Sequence, residues 1–141
     1  MNAQQIKLVK ESWGFIIVKP EEAGQLFYAR LFETAPELRH LFHGNIKEQA
    51  RKLMSMVTLI VSKLEKLDTI IHEIKSLAVR HNKYGARREH YSAVGDSLMW
   101  TLKSGLGDRW TTDTETAWLL VFKILSEAMI ENQQAAVAST K

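Results

Sequence analysis

Apolar residues recur along most of this chain at intervals of three and four, the spacing that places them on one face of an α-helix. The first stretch runs from about Gln4 to Val18, with Ile6, Val9, Trp13 and Ile16 as its inward stripe. Pro20 opens a second, because a first helical turn tolerates the missing N–H, and Glu21 and Glu22 sit well at the positive end of the helix dipole. Gly24, Phe27, Tyr28 and Leu31 share a face there, and Gly24 leaves room for another helix to cross closely. Pro36 ends that helix or starts a short turn closing at Leu41-Phe42, and His43-Gly44-Asn45 reads as a loop.

A strongly amphipathic helix is expected from about Ile46 to Leu64, with Leu53, Met56, Val57, Ile60, Val61 and Leu64 inward. The next, with Asp68 or Thr69 as its cap, carries Ile74, Leu77, Ala78, His81 and Tyr84 on one side, and Gly85 suits its C-terminal end. Two long helices follow. One spans about Arg88 to Leu106, with Tyr91, Val94, Leu98 and Leu102 inward; the other opens at Thr112-Asp113-Thr114-Glu115, which fits a capping box. Trp118, Val121, Phe122, Leu125 and Met129 form the buried face of the latter, and after about Gln133 the pattern stops, so a frayed tail is expected from about residue 134. No sustained period-two alternation, repeat or linker interrupts this, so the chain reads as a single all-α domain over residues 1–141.

Composition narrows the chemistry. The 141 residues are 45% hydrophobic and 25% charged, as in a globular protein with a real core. No apolar run approaches the roughly 20 residues that span a bilayer, and the N-terminus lacks a signal-peptide apolar region, which points to the cytoplasm and no membrane partner. The absence of cysteine excludes disulfides, thiolate nucleophiles, iron–sulfur clusters and thioether attachment of haem. Net charge is only +3. The small cluster Arg80, Lys83, Arg87 and Arg88 reads first as a solvated face and second as a dock for an acidic partner; nucleic acid is not expected.

His81 stands out because it shares an apolar stripe. Such an imidazole is either a core residue satisfied by backbone or water, or a ligand for iron or zinc. The other histidines form no His-Glu-x-x-His motif; Glu37 and His40 match one half of a di-iron pattern whose second half is missing, and His72 reads as a surface residue. No phosphate loop, dinucleotide fingerprint or nucleophile elbow occurs. Taken singly, Tyr28 reads as a core tyrosine with a tied hydroxyl and Gln49 as a surface residue at the edge of its helix's apolar stripe.

Together these residues resemble the globin family over about Gln4 to Glu131, and most closely bacterial single-domain haemoglobins and the haem domain of flavohaemoglobins. The resemblance rests on Leu26-Phe-Tyr-Ala-Arg-Leu-Phe32, Pro36-Glu-Leu-Arg-His-Leu-Phe42, Gln49-Ala-Arg-Lys-Leu53, Arg80-His-Asn-Lys-Tyr-Gly85, His90-Tyr-Ser-Ala-Val-Gly95 and Ala117-Trp118, in that order. The spacing from Gln49 to His81 also agrees with the family's distal-to-proximal separation.

The resemblance implies a globin fold packed around a haem b, with His81 as the iron ligand. Phe42 would pack on the porphyrin and Leu53 would sit over its distal face. Leu41, Leu77, Val94 and Phe122 would wall the pocket, and Lys52 or Arg51 would pair with a propionate or remain solvated. Tyr28 and Gln49 match the distal pair, two hydrogen-bond donors for a partly anionic oxygen ligand. High oxygen affinity and slow release follow, with less benefit to CO.

Nitric oxide dioxygenation, giving nitrate, is also implied, with Tyr91 in a proximal relay. The expected glutamate of that relay is replaced by Gln133, which weakens the proximal push and puts turnover in doubt. Flavin and nicotinamide domains like those of flavohaemoglobins do not follow in this chain, so electrons would come from a separate flavin reductase. A non-catalytic oxygen store, carrier or sensor is the competing function, and a globin-shaped interaction module without haem is a third.

Overall fold

The computed structural model describes residues 1–42, 45–66, 74, 76 and 90–139, and the side chains of all of these except 91 and 128–139. The described residues form helices and short 3-10 turns, and no strand occurs among them. No helix among them is long and apolar enough to cross a membrane.

Helix α1 spans Ala3–Ile16. Its first turn is closed by Asn2 and Gln5: the Gln5 N–H donates to Asn2 Oδ1 at 2.8 Å, and the Asn2 N–H donates to Gln5 Oε1 at 3.0 Å. The helix stops before the expected Val18, which is 73% exposed. Pro20 is the reason: the residue before a proline is pushed out of the helical region, and Lys19 lies at φ −126°, ψ 71°. Helix α2, Pro20–Thr34, then buries Gly24, Phe27, Tyr28 and Leu31 as expected. A 3-10 turn, Pro36–Leu41, follows.

Helix α3 covers Ile46–Ser62, and its cap Asn45 accepts from the Lys47 N–H at 2.8 Å. The α-helix ends two residues short of the expected Leu64, which continues in a tighter turn and is still buried. Ile74, at the head of the stripe that holds His81, is buried, and Ser76 is exposed. Asp68, Thr69, His72, His43 and Gly85 lie outside the described residues.

Helix α4 is described over His90–Leu106; Arg88, its expected start, lies outside. Gly107, at φ +54°, supplies the left-handed residue of the turn that follows. Helix α5 spans Thr112–Ser139, so its backbone is helical past the point where the apolar pattern stops. Its cap differs from the sequence expectation by one residue. The Thr114 N–H donates to Thr111 Oγ1 at 3.1 Å, and Thr111 Oγ1 donates to Thr114 Oγ1 at 3.0 Å. Thr111 therefore caps in place of Thr112, and Thr114 stands where Glu115 was expected, because consecutive threonines offer the same chemistry in two registers.

Among the described residues the core divides in two. One part joins α1, α3, α4 and α5 through Val9, Trp13, Val61, Leu102, Trp118 and Val121. The Trp13 and Trp118 rings lie 5.9 Å apart, and their N–H groups are both used: Trp118 Nε1 donates to Ser12 Oγ at 2.8 Å, and Trp13 Nε1 donates to Thr58 Oγ1 at 2.9 Å. The second part joins α2, the 3-10 turn, α3 and α4 around Phe27, Tyr28, Leu31 and Leu38. Leu53 and Leu98 pack against both.

Candidate functional site

The second core region brings chemistry-bearing residues together. Tyr28 is 5% exposed, held on α2 between buried Phe27 and Leu31. Three aromatic rings surround its ring: Phe27 at 4.9 Å, Phe42 at 5.3 Å and Phe32 at 5.8 Å between centroids. The Tyr28–Phe27 and Tyr28–Phe42 pairs meet edge to face. Its hydroxyl donates to the backbone carbonyl of Gln49 at 3.5 Å, the outer limit of a hydrogen bond. Burial pushes the phenol pKa up to about 12, so Tyr28 is a neutral donor over the whole physiological range.

What sets the Tyr28–Gln49 distance is a helix crossing. A methyl group built on Gly24 would lie 2.5 Å from Ala50 Cβ and 3.3 Å from Ala50 Cα, so α2 and α3 touch where glycine alone fits. Ala50 follows Gln49, and the crossing therefore holds the Gln49 carbonyl against Tyr28. Gln49 itself is half-buried, and Leu53 lies one turn further along α3.

The 3-10 turn delivers Leu41 and Phe42 to the same cluster, and α4 delivers Val94 and Leu98. Tyr28, Leu41, Phe42, Leu53 and Val94 are thus brought together. Phe122 is not: it packs in the other core region. Its ring lies over Gly95, where an added methyl would sit 2.5 Å from Phe122 Cε1. Phe122 thereby backs Val94's helix and is separate from the Tyr28 cluster.

Of the two expected rim cations, Arg51 is directed across the helix crossing, its Nη2 lying 3.6 Å from Glu21 Oε1 on α2. Lys52 is exposed, on the side of α3 next to Gln49 by helical spacing. His81 and Leu77 lie outside the described residues, as do the side chains of Tyr91 and Gln133.

Two residues of this cluster were not singled out from the sequence. Phe32 joins Tyr28 and Phe42, and its position one helical turn after Tyr28 was the available signal. Arg39 places its guanidinium carbon 5.3 Å from the Phe32 ring centroid and donates to the Phe42 carbonyl at 3.1 Å. Nothing local to the sequence marks Arg39, because its ring partner comes from another element. Two open grooves of about 260 and 470 Å³ lie where α2 and α3 meet, sharing Pro20, Arg51 and Met54. Neither is lined by Tyr28, Gln49, Phe42 or Leu53.

The family model for globins matches residues 25–129, which spans this whole arrangement from α2 into α5. The chain belongs to the globin family. Among curated globin relatives, Neuroglobin-1 of Oncorhynchus mykiss is 27% identical over 92% of this chain and 90% of its own length. The Flavohemoprotein of Vibrio cholerae is 24% identical over 100% of this chain, which spans 36% of that protein. Among solved structures, a bacterial globin from Campylobacter jejuni superposes with a TM-score of 0.86 at 22% identity, covering 97% of this chain and 99% of that one. An engineered carbene transferase from Rhodothermus marinus gives 0.89 at 23% identity over 99% and 98%. The fold is all-α, as the residue pattern predicted, and is the globin fold that the resemblance implied. Membership in the family implies binding of haem and of diatomic gases.

Proposed function

We propose that this globin holds haem b, with His81 as its iron ligand, and binds oxygen tightly through two donors, Tyr28 and Gln49. With electrons from a separate flavin reductase it converts nitric oxide and oxygen to nitrate. The observation that carries the reading is the state of Tyr28. It is a buried neutral phenol in an aromatic and apolar cluster, and its hydroxyl is directed at a carbonyl 3.5 Å away. A bond of that length holds weakly. Turning the hydroxyl toward a partly anionic oxygen atom gains more than it loses, because bonds to charged acceptors are the strong ones.

The residues present suit a porphyrin: Leu41, Phe42, Leu53 and Val94 give an apolar wall beside the buried donor Tyr28. Haem b, when bound, supplies an iron that takes up the gas. Tyr28 donates its O–H to the ligand, and the Gln49 side-chain amide supplies a second N–H. Phe42 and Leu53 keep water away, which strengthens both bonds. Lys52 would pair with a propionate at the rim, Leu77 would complete the wall with Phe122 behind it against Gly95, and Tyr91 would steady the His81 imidazole. Discrimination follows from charge, since oxygen gathers more negative charge than CO and gains more from the two donors.

Two measurements test the reading. Oxygen release followed by stopped flow is expected to be slow, and faster in Tyr28→Phe. Nitrate formation with an added flavin reductase is expected to exceed that of free haem, and a rate no greater than free haem refutes the enzymatic part. The second reading, a non-catalytic oxygen store, carrier or sensor, is favoured by Gln133, which brings no negative charge to the proximal relay. Complete reversible oxygen cycling with negligible nitrate would select it.

A further inference from the structure

Phe42 sits immediately after the 3-10 turn, in extended backbone at φ −103°, ψ 109°, where the helical hydrogen-bond ladder no longer serves its carbonyl. That carbonyl accepts from Arg39 Nη1 at 3.1 Å, while the Phe42 N–H donates to the Arg39 carbonyl at 3.2 Å. Arg39 thus holds both backbone polar groups of Phe42. The same guanidinium lies 5.3 Å from the Phe32 ring centroid, and Phe32 meets Phe42 edge to face at 5.4 Å and 70°. Phe42 in turn meets Tyr28 at 5.3 Å and 77°. A charged surface residue is therefore linked through two rings to the buried phenol.

We propose that Arg39 is a positioning residue for the site: it fixes the backbone and ring of Phe42, and through Phe42 the orientation of Tyr28. The inference rests on the haem reading of the same cluster. Its chemistry needs a planar, multiply donating cation, because one group must serve a carbonyl and face a ring together. A lysine ammonium would serve one at a time. Arg30 makes the same kind of ring contact elsewhere, 5.1 Å over Trp100 with no bond to Phe42, and so provides an internal control.

The test compares haem-loaded wild type, Arg39→Met, Phe32→Leu, the double variant and Arg30→Met. Methionine keeps the length of the stem and removes both the charge and the donors. Haem loss to excess haem-scavenging apoprotein is expected to be roughly three- to ten-fold faster in Arg39→Met and unchanged in Arg30→Met. The C–O stretching band of the CO complex, which senses the Tyr28 dipole, is expected to shift or broaden in Arg39→Met. In the double variant the two effects are expected to be less than multiplicative, because they share Phe42.

Haem loss within two-fold of wild type together with an unchanged C–O band overturns the proposal. So does an equal acceleration in Arg30→Met, or strictly multiplicative behaviour of the pair. A wild type with no Soret band after haem addition would fail the haem reading instead. The nuclear Overhauser contact between the Tyr28 and Phe42 rings would still decide Arg39: lost in Arg39→Met it supports the proposal, kept it overturns it.

Discussion

Gly24→Ala is the sharpest test of how the site is held. The added methyl would lie 2.5 Å from Ala50 Cβ, where about 3.5–4.0 Å is comfortable, so α2 and α3 must separate by roughly 1 Å. Ala50 Cβ is attached directly to the backbone and has no rotamer with which to yield. Two effects oppose each other. Alanine stabilises a helix interior by about 1 kcal/mol over glycine, and overpacking a tight contact costs about 1–3 kcal/mol. With backbone on both sides the cost is at the upper end, giving a net loss of about 1–2 kcal/mol in urea denaturation. Ala50→Gly should cost a similar amount, through lost helix propensity of about 1 kcal/mol and one methyl removed from the core.

The double variant moves the methyl from α3 to α2 and leaves one glycine and one alanine as before. It should recover most of the loss, with a coupling of about 2 kcal/mol. Recovery is incomplete because the new methyl still faces residue 50 Cα at 3.3 Å. The site should report the same movement. Tyr28 and Gln49 sit on the two helices that part, their hydroxyl and carbonyl already 3.5 Å apart, so a further separation of about 1 Å displaces the two donors relative to each other. The C–O stretch of the CO complex should therefore shift in Gly24→Ala and return in the double variant. A Gly24→Ala protein as stable as wild type, with additive effects in the cycle, would refute the argument.

Tyr28→Phe removes one donor to the ligand, worth about 1.5–3 kcal/mol, so oxygen release should accelerate roughly 10- to 100-fold by stopped flow; an unchanged rate would remove Tyr28 from the mechanism. The same residue sets an alkaline limit. With its pKa raised from 10.0 to about 12, the native state keeps the phenolic proton that the unfolded chain has lost. Its contribution is whole below pH 10 and falls as pH rises towards 12, by up to about 1.4 kcal/mol per pH unit. Denaturation of wild type should steepen with pH in that window relative to Tyr28→Phe, and parallel curves would count against the burial argument. Ser97 is 1% exposed, and its Oγ has no hydrogen-bond partner among the described residues. Ser97→Ala should stabilise by about 1 kcal/mol, raising Tm by roughly 2–4 °C, and a lower Tm would mean the hydroxyl is satisfied.

Much of this was legible in the residues. The three-and-four spacing located the described helices and their inward faces, and Gly24 was recognisable as a place where helices meet. Tyr28, Phe42, Leu53 and Val94 could be grouped by resemblance before any geometry was known. Two local readings differ from the structure: Thr111 caps α5 in place of Thr112, because consecutive threonines offer the same chemistry, and α1 ends before Val18, because Pro20 follows. That Arg51 reaches Glu21 and that Phe122 lies against Gly95 depend on which helices meet, which the apolar stripes alone leave open.

The order of amino acids by itself determined where helices form, which face of each is apolar and which side chains carry donors. These follow from periodicity, caps and prolines, which act within a turn or two of chain. Only the tertiary structure decided that Ala50 is the residue Gly24 admits, that the Tyr28 hydroxyl reaches the Gln49 carbonyl, and that Arg39 answers to Phe42 and Phe32. Those pairings depend on how helices cross. A crossing is fixed by shape complementarity between side chains distant in the sequence, where one methyl group separates a fit from a clash.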